Sequence, residues 1–150
     1  MVIRRGTADD RDEWLRMRRA LWPHASDEEH LAEIDDWLAR NDCAIFVAER
    51  PEGGLCGFAE VAERSYADGC DTCPVAYLEG WYVDPSYRGE GVGGKLVAAA
   101  EEWARAFGYE ELASDALLEN TISQEAHLRL GFEEVDRVVQ YRKRLTGGAS

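Results

Sequence analysis

Residues 83–96 read VDPSYRGEGVGGKL, with four glycines between positions 89 and 94. Ahead of them runs an apolar, β-rich stretch, VAYLEGWYV (75–83). Behind them Val92, Leu96, Ala99, Ala100, Trp103 and Phe107 recur at helical spacing until Gly108. A strand, a bare-backbone loop and an amphipathic helix in that order require a sheet with a helix packed on its face. The helix start also presents unpaired N–H groups and partial positive charge, and glycines let an anion approach them closely.

Three phosphate-binding patterns compete for this loop. Gly89 to Gly94 followed by Lys95 fits a Walker loop, but Leu96 stands where a magnesium-holding hydroxyl belongs. Gly89, Gly91 and Gly94 match a dinucleotide fingerprint literally, yet in mid-chain with no parallel βαβ run before them. Arg88, Gly91 and Gly93 satisfy R-x-x-G-x-G, with a strand ending at Asp84-Pro85 and a helix opening near Val92.

Around this loop the periodicities predict β-α-α-β-β-β-α-β-α-β-β, a mixed sheet with helices on its faces. VIRR (2–5) reads as a strand. TADD (7–10) and SDEE (26–29) read as capping boxes for two helices, the first ending at Pro23. CAIFVAER (43–50) and LCGFAEVAERSY (55–66) are predicted strands joined by PEGG. EELASDA (110–116) is predicted as a strand and NTISQEAHLRLG (120–131) as a short helix. FEEVD and VVQYRKRL are expected to form a terminal strand pair.

The chain's 150 residues suit one domain, expected over 1–145 with a loose tail at 146–150. A net charge of −13 disfavours nucleic acid and anionic membranes and favours a cationic partner, although solubility alone also explains it. The N-terminus lacks the apolar core of a signal peptide, and a cytoplasmic protein is expected. Cys43 and Cys56 fall in apolar strands and read as core. Cys70 and Cys73 form a lone C-x-x-C without a second ligand pair, so no metal is expected.

WYVDPSYRGEGVGGKL resembles the coenzyme A signature of the GNAT-fold N-acetyltransferases, and NTISQEAHLRLGF resembles their second signature. LWP (21–23), SYADGCD (65–71), YLEGWYV (77–83), SDALLENTISQEAH (114–127) and RVVQYRKR (137–144) are similar to one subgroup, the aminoglycoside 6′-N-acetyltransferases. The resemblance implies the acyl-CoA N-acyltransferase fold, an α/β (α+β) domain. Its central sheet is mostly antiparallel with one splayed strand pair. It implies acetyl-CoA as co-substrate, bound by Trp81, Tyr82, Val83, Arg88, Gly89, Glu90, Gly91, Val92, Gly93, Gly94 and Asn120. It also implies an aminoglycoside held by Trp22, Tyr66, Glu79, Asp115 and Asp136, with a weaker case for His24. A homodimer is expected by the same resemblance, with VVQYRKR as an edge strand.

The chemistry can be read from the residues as well. An amine with a lysine-like pKa of about 10.4 is neutral in roughly one molecule per thousand at neutral pH. Acylating it needs a base, a shifted pKa or use of the minor species. Glu79 is a charged residue within an apolar strand, costly to bury without a task, unless it faces solvent. Asp115 ends the next predicted strand, where ligands gather, though turn acids occupy such places too. Asp115 is favoured as the group nearest the reacting amine, with Glu79 as the alternative base. Trp22 and Tyr66 read from sequence alone as ordinary core or surface aromatics.

His127 stands where many members of the fold carry a tyrosine that protonates the leaving thiolate. It is either that acid or a helix residue packed near the cofactor. Three functions stay open at this level: acetylation of an aminoglycoside, acetylation of another amine (polyamine, small metabolite or protein N-terminus), and coenzyme A binding without catalysis.

Overall fold

The structure is a computed structural model and describes residues 1–147. Five strands lie in the order β1-β2-β3-β4-β5. They are β1 (Val2–Arg5), β2 (Cys43–Glu49), β3 (Leu55–Arg64), β4 (Val75–Val83) and β5 (Leu112–Ser114). The first four pair antiparallel and β5 joins β4 in parallel. The helices are α1 (Arg11–Leu21), α2 (Asp27–Ala39), α3 (Val92–Ala106) and α4 (Thr121–Arg129). This is the mixed, mostly antiparallel α/β architecture expected from the sequence.

The local signals act mostly as predicted, although at α2 only the Ser26 half of the expected capping box forms. The Thr7–Asp10 capping box closes a short 3-10 turn that runs into α1, and Ser26 caps α2 by accepting from the Glu29 N–H. Gly108, at φ +84°, ends α3 in the left-handed region that favours glycine. Two apolar layers form on the two faces of the sheet. Val92, Leu96, Val97, Ala100 and Trp103 of α3 cover Ala59, Val61, Ala76 and Leu78. Trp14, Met17 and Ile34 of α1 and α2 cover Val47, Phe58 and Tyr82. Cys43 and Cys56 are buried as expected.

Two features of β4 shape the site. The first is a bulge: Glu60 pairs with Gly80 and Val61 with Leu78, so Glu79 has no partner on β3. Ala76 and Leu78 pack on the α3 side, whereas Tyr82 packs on the α1 side, a switch that simple alternation forbids. Glu79 and Gly80 consequently share the face toward α1 and α2. The second is a splay. β4 and β5 pair only at Ala76–Leu112, Tyr77–Ala113 and Leu78–Ser114. Beyond that point the β4 backbone from Glu79 to Val83 has no ladder partner on the β5 side.

One expectation is corrected. FEEVD and VVQYRKRL are not strands: no residue from 133 to 147 joins the sheet. Alternation alone does not pair a segment with a neighbouring backbone edge, and residues 133–147 lie exposed and join no ladder. Of the tail expected over 146–150, residues 148–150 lie outside the described residues.

Candidate active site

The loop after β4 is built around its glycines. Gly89 and Gly91 take φ +84° and +83°, and Gly91 is the N-cap of α3 with no side chain capping the helix. The first N–H groups of α3 are therefore left for a ligand. Gly93 serves a different need. A Cβ there would lie 3.1 Å from Cζ2 of Trp81, whose indole N–H donates to the Gly93 carbonyl at 3.1 Å. The Arg88 Nε–H donates to the Val83 carbonyl at 2.8 Å and folds the loop back on its strand. Glu90 is exposed and Val92 is buried beneath the loop.

Asp84 anchors the loop to the sheet. Its carboxylate accepts from Arg16 at 3.0 and 3.1 Å and from Arg50 at 2.9 Å. Its backbone N–H reaches the Cys56 carbonyl at 2.7 Å. Burial works to raise the Asp84 carboxyl, but the hydrogen bonds from Arg16 and Arg50 outweigh it and hold the group below the usual carboxylate range.

On the other side of the splay lie the two carboxylates. Glu79 is gripped by a fork from Arg64, with Nε–Oε2 at 2.8 Å and Nη2–Oε1 at 2.6 Å. The Arg64 guanidinium lies 3.5 Å from the centroid of the Tyr77 ring. Tyr77 in turn donates its hydroxyl proton to Asp115 Oδ2 at 2.5 Å. Burial, then the bond to Asp115, raises the Tyr77 phenol well above its ordinary value, so it remains a donor at neutral pH. Glu79 and Asp115 are thus joined through Arg64 and Tyr77. Two features of Glu79 leave it able to take a substrate cation. A carboxylate forked by one guanidinium keeps acceptor capacity, and the Glu79 side chain is 26% exposed.

His127 projects from α4 into the splay. Its ring meets Trp81 edge-on at 5.2 Å and Phe132 at 5.0 Å. Nδ1 lies 2.7 Å from the Ser123 carbonyl, which can only accept, so the neutral ring carries its proton on Nδ1. Nε2 then accepts from the Ser114 hydroxyl at 2.8 Å. Asn120 is the N-cap of α4, its Oδ1 accepting from the Ser123 N–H at 3.1 Å, which leaves its amide N–H₂ free to donate. Trp22, just past α1, packs on Phe58 with ring centroids 6.2 Å apart.

These positions combine an uncapped helix start, an unladdered strand edge and two acids linked through Arg64 and Tyr77. The sequence from 11 to 132 matches the acetyltransferase (GNAT) family model. The chain belongs to the GNAT acetyltransferase family. It is 46% identical over 147 residues to an aminoglycoside N(6′)-acetyltransferase type 1 of Klebsiella aerogenes, covering 96% of this chain and 97% of that one. A protein of the same description from Stenotrophomonas maltophilia is 43% identical, covering 99% and 96%. A solved structure of the aminoglycoside N-acetyltransferase AAC(6′)-Iy in complex with CoA superposes at TM-score 0.91, with 43% identity over 95% of this chain and 94% of that one. The same enzyme with the bisubstrate analog CoA-S-monomethyl-acetylneamine superposes at 0.90.

Seen as a GNAT acetyltransferase, the chain gathers most of its sequence-predicted site residues around one splay. Trp81, Val83 and the loop from Arg88 to Gly94 lie on the α3 side, while the Tyr82 ring packs on the α1 side of the same strand. Glu79, Asp115 and Trp22 lie across from them. His24, Tyr66 and Asp136 are exposed, and among the described residues none hydrogen-bonds to Glu79 or Asp115. The loop carrying Tyr66 does touch the segment carrying Asp136, because Gly69 packs against Val135. Sequence reasoning missed Tyr77 and Arg64. Tyr77 was detectable as the neighbour of Glu79 at strand spacing, but nothing in the sequence singled out Arg64, whose partner lies on the next strand. Among the described residues no group of three or more His, Cys, Asp or Glu is placed to hold a metal.

Proposed function

We propose that this GNAT acetyltransferase transfers an acetyl group from acetyl-CoA to the 6′-amine of aminoglycoside antibiotics, and so confers resistance to them. The observation that carries this reading is the pairing of Glu79 and Asp115 through Arg64 and Tyr77 beside an open strand edge. A polycationic sugar needs several acids around one reacting amine, and the names of the similar enzymes point to the same substrate class. The residues fit the co-substrate: the first turn of α3 is uncapped, and Gly91 presents no side chain toward it.

The roles follow from position. The first-turn N–H groups of α3 and the loop from Arg88 to Gly94 hold the pyrophosphate. The free β4 edge from Trp81 to Val83 pairs with the pantetheine arm as an added strand, and Asn120 donates to the cofactor from the start of α4. A backbone N–H near Val83 polarises the thioester carbonyl. Glu79 and Asp115 bind the ammonium groups of the sugar, with Trp22, Tyr66 and Asp136 around them and His24 at the margin. Asp115, or Glu79 through water, takes the proton as the amine nitrogen bonds to the carbonyl carbon. The carbon–sulfur bond then breaks and the thiolate leaves; His127 serves as proton donor only in its doubly protonated form, with Nε2 carrying the proton that is transferred. Holding both reactants at once supplies much of the rate.

A cytoplasmic location is part of this proposal, and acetyl-CoA as co-substrate supports it. Among the described residues no helix is long and apolar enough to cross a membrane. A homodimer is also proposed. Val135, Val138, Val139, Tyr141 and Leu145 are 59 to 91% exposed on a segment of strand-like pattern, and β5 offers an edge for it. Light scattering on the purified chain should give twice the monomer mass; a monomer at all concentrations contradicts it.

The function is tested by thiol release from acetyl-CoA with aminoglycosides that carry or lack a free 6′-amine, spermidine and a peptide amine in parallel. Turnover confined to the first group supports the reading. Turnover only on spermidine or peptide moves the activity to another amine, and coenzyme A binding with no release indicates a binding module.

A further inference from the structure

Outside the groups used above, three polar side chains among the described residues are buried with no assigned task. Arg18 is 2% exposed, His30 1% and Glu60 1%. They connect to one another and to Trp22. Arg18 bonds to Glu60 and to Glu33, and the Trp14 indole N–H donates to Glu60 at 2.8 Å. The Arg18 Nε–H donates to His30 Nδ1 at 3.2 Å. Because the guanidinium is always a donor, Nδ1 must accept and Nε2 must carry the ring proton. That proton goes to the Trp22 carbonyl at 3.1 Å.

The Trp22 ring is fixed as firmly as its backbone. The Arg18 guanidinium lies 4.7 Å from its centroid, and Phe58 tilts against it. The far corner of the ring rests on the backbone of β4. A Cβ built on Gly80 would stand 2.6 Å from Trp22 Cη2, 3.1 Å from Glu60 Oε1 and 3.2 Å from Phe58. Any residue larger than glycine must push Trp22 out. The bulge that frees Glu79 also turns Gly80 to this face, so the Trp22 ring sits next to the substrate carboxylate in the chain.

We propose that Gly80 determines acceptor specificity by leaving the slot for Trp22, and that Arg18, His30 and Glu60 are positioning residues that lock Trp22 there. The wall beside Glu79 is then rigid before substrate arrives, and the ordering cost is met in folding instead of at binding. The inference rests on the proposed acceptor site, not on which amine enters it.

The test compares Gly80→Ala, Trp22→Phe and the double variant, using whichever amine the wild-type enzyme turns over best. Gly80→Ala should raise the KM for that amine about tenfold, through displacement of a positioned group. The KM for acetyl-CoA should stay within about twofold, since the loop and α3 are untouched. A phenyl ring is shorter than an indole and leaves room for the added methyl. Gly80→Ala should therefore have little further effect once Trp22→Phe is present. Additive effects, or an unchanged amine KM in a folded Gly80→Ala protein, overturn the proposal. If Gly80→Ala does not fold, His30→Gln is read instead. A raised amine KM with an unchanged acetyl-CoA dissociation constant by calorimetry supports the proposal, and an unchanged amine KM overturns it. An enzyme that ignores aminoglycosides but acetylates another amine fails the functional reading and leaves this cycle fully readable.

Discussion

Tyr77 on β4 and Asp115, just past the parallel strand β5, meet where those strands part: the Tyr77 hydroxyl donates to Asp115 Oδ2 at 2.5 Å. Asp115 itself is exposed and lies one residue past β5. Without Tyr77 it would be a loop acid free to rotate. The bond orients its carboxylate toward the opening and couples it, through Arg64 on the Tyr77 ring, to Glu79.

Tyr77→Phe removes that bond and little else. A hydrogen bond to a charged group contributes about 1.5 kcal/mol or more, so kcat/KM for the amine should fall about tenfold. Steady-state kinetics should show an unchanged KM for acetyl-CoA. Asp115→Asn should lower kcat further, because it also removes the base.

Gly91 stands at φ +83° with open space where a side chain would go. Gly91→Ala therefore meets no clash and feels only the left-handed backbone, at about 1–2 kcal/mol. Calorimetry should show acetyl-CoA binding weakened about tenfold as the loop shifts to relieve that strain. Aminoglycoside affinity should not change.

Asp84 links pH to stability. Its carboxyl is held below the ordinary 3.8 in the folded chain, so its ion pairs stabilise fully above that value. They are lost as pH falls through the lowered folded value. Because Arg16 and Arg50 keep about a third of their side-chain surface in water, Asp84→Asn should cost about 2 kcal/mol at pH 7. Denaturant melts should show the gap between wild type and variant shrinking below pH 3.8, the reverse of what a packing defect gives.

His127→Gln keeps a polar side chain between Trp81 and Phe132 but removes the proposed proton donor to the leaving thiolate. The thiolate has a pKa of about 8.5 and leaves with little help, so kcat should drop about tenfold, without a change in acetyl-CoA affinity. Equal losses in kcat and in acetyl-CoA affinity would assign His127 to packing.

How far the sequence reached depends on whether a feature is local. The glycine loop, the capped starts of α1 and α2 and the apolar stripe of α3 all rest on neighbours in the chain, and each lies where its pattern placed it. Glu79 was legible as a charge in an apolar strand. Its bulge was not, because register depends on how β3 and β4 meet. Arg64 and Tyr77 escaped for the same reason, since their pairing joins β3, β4 and the end of β5. The terminal segment showed the opposite failure. VVQYRKRL alternates like a strand, but alternation cannot supply a partner edge, and residues 133–147 join no ladder.

The measurement that tests the central claim most directly is the site of acetylation on an aminoglycoside with several amines, read from the product by NMR. The account predicts one acetyl group, on the 6′-nitrogen, with Asp115→Asn lowering the rate but not moving the position. Acetylation spread over several amines, or confined to a different one, would contradict an acceptor site built around Glu79, Asp115 and Trp22.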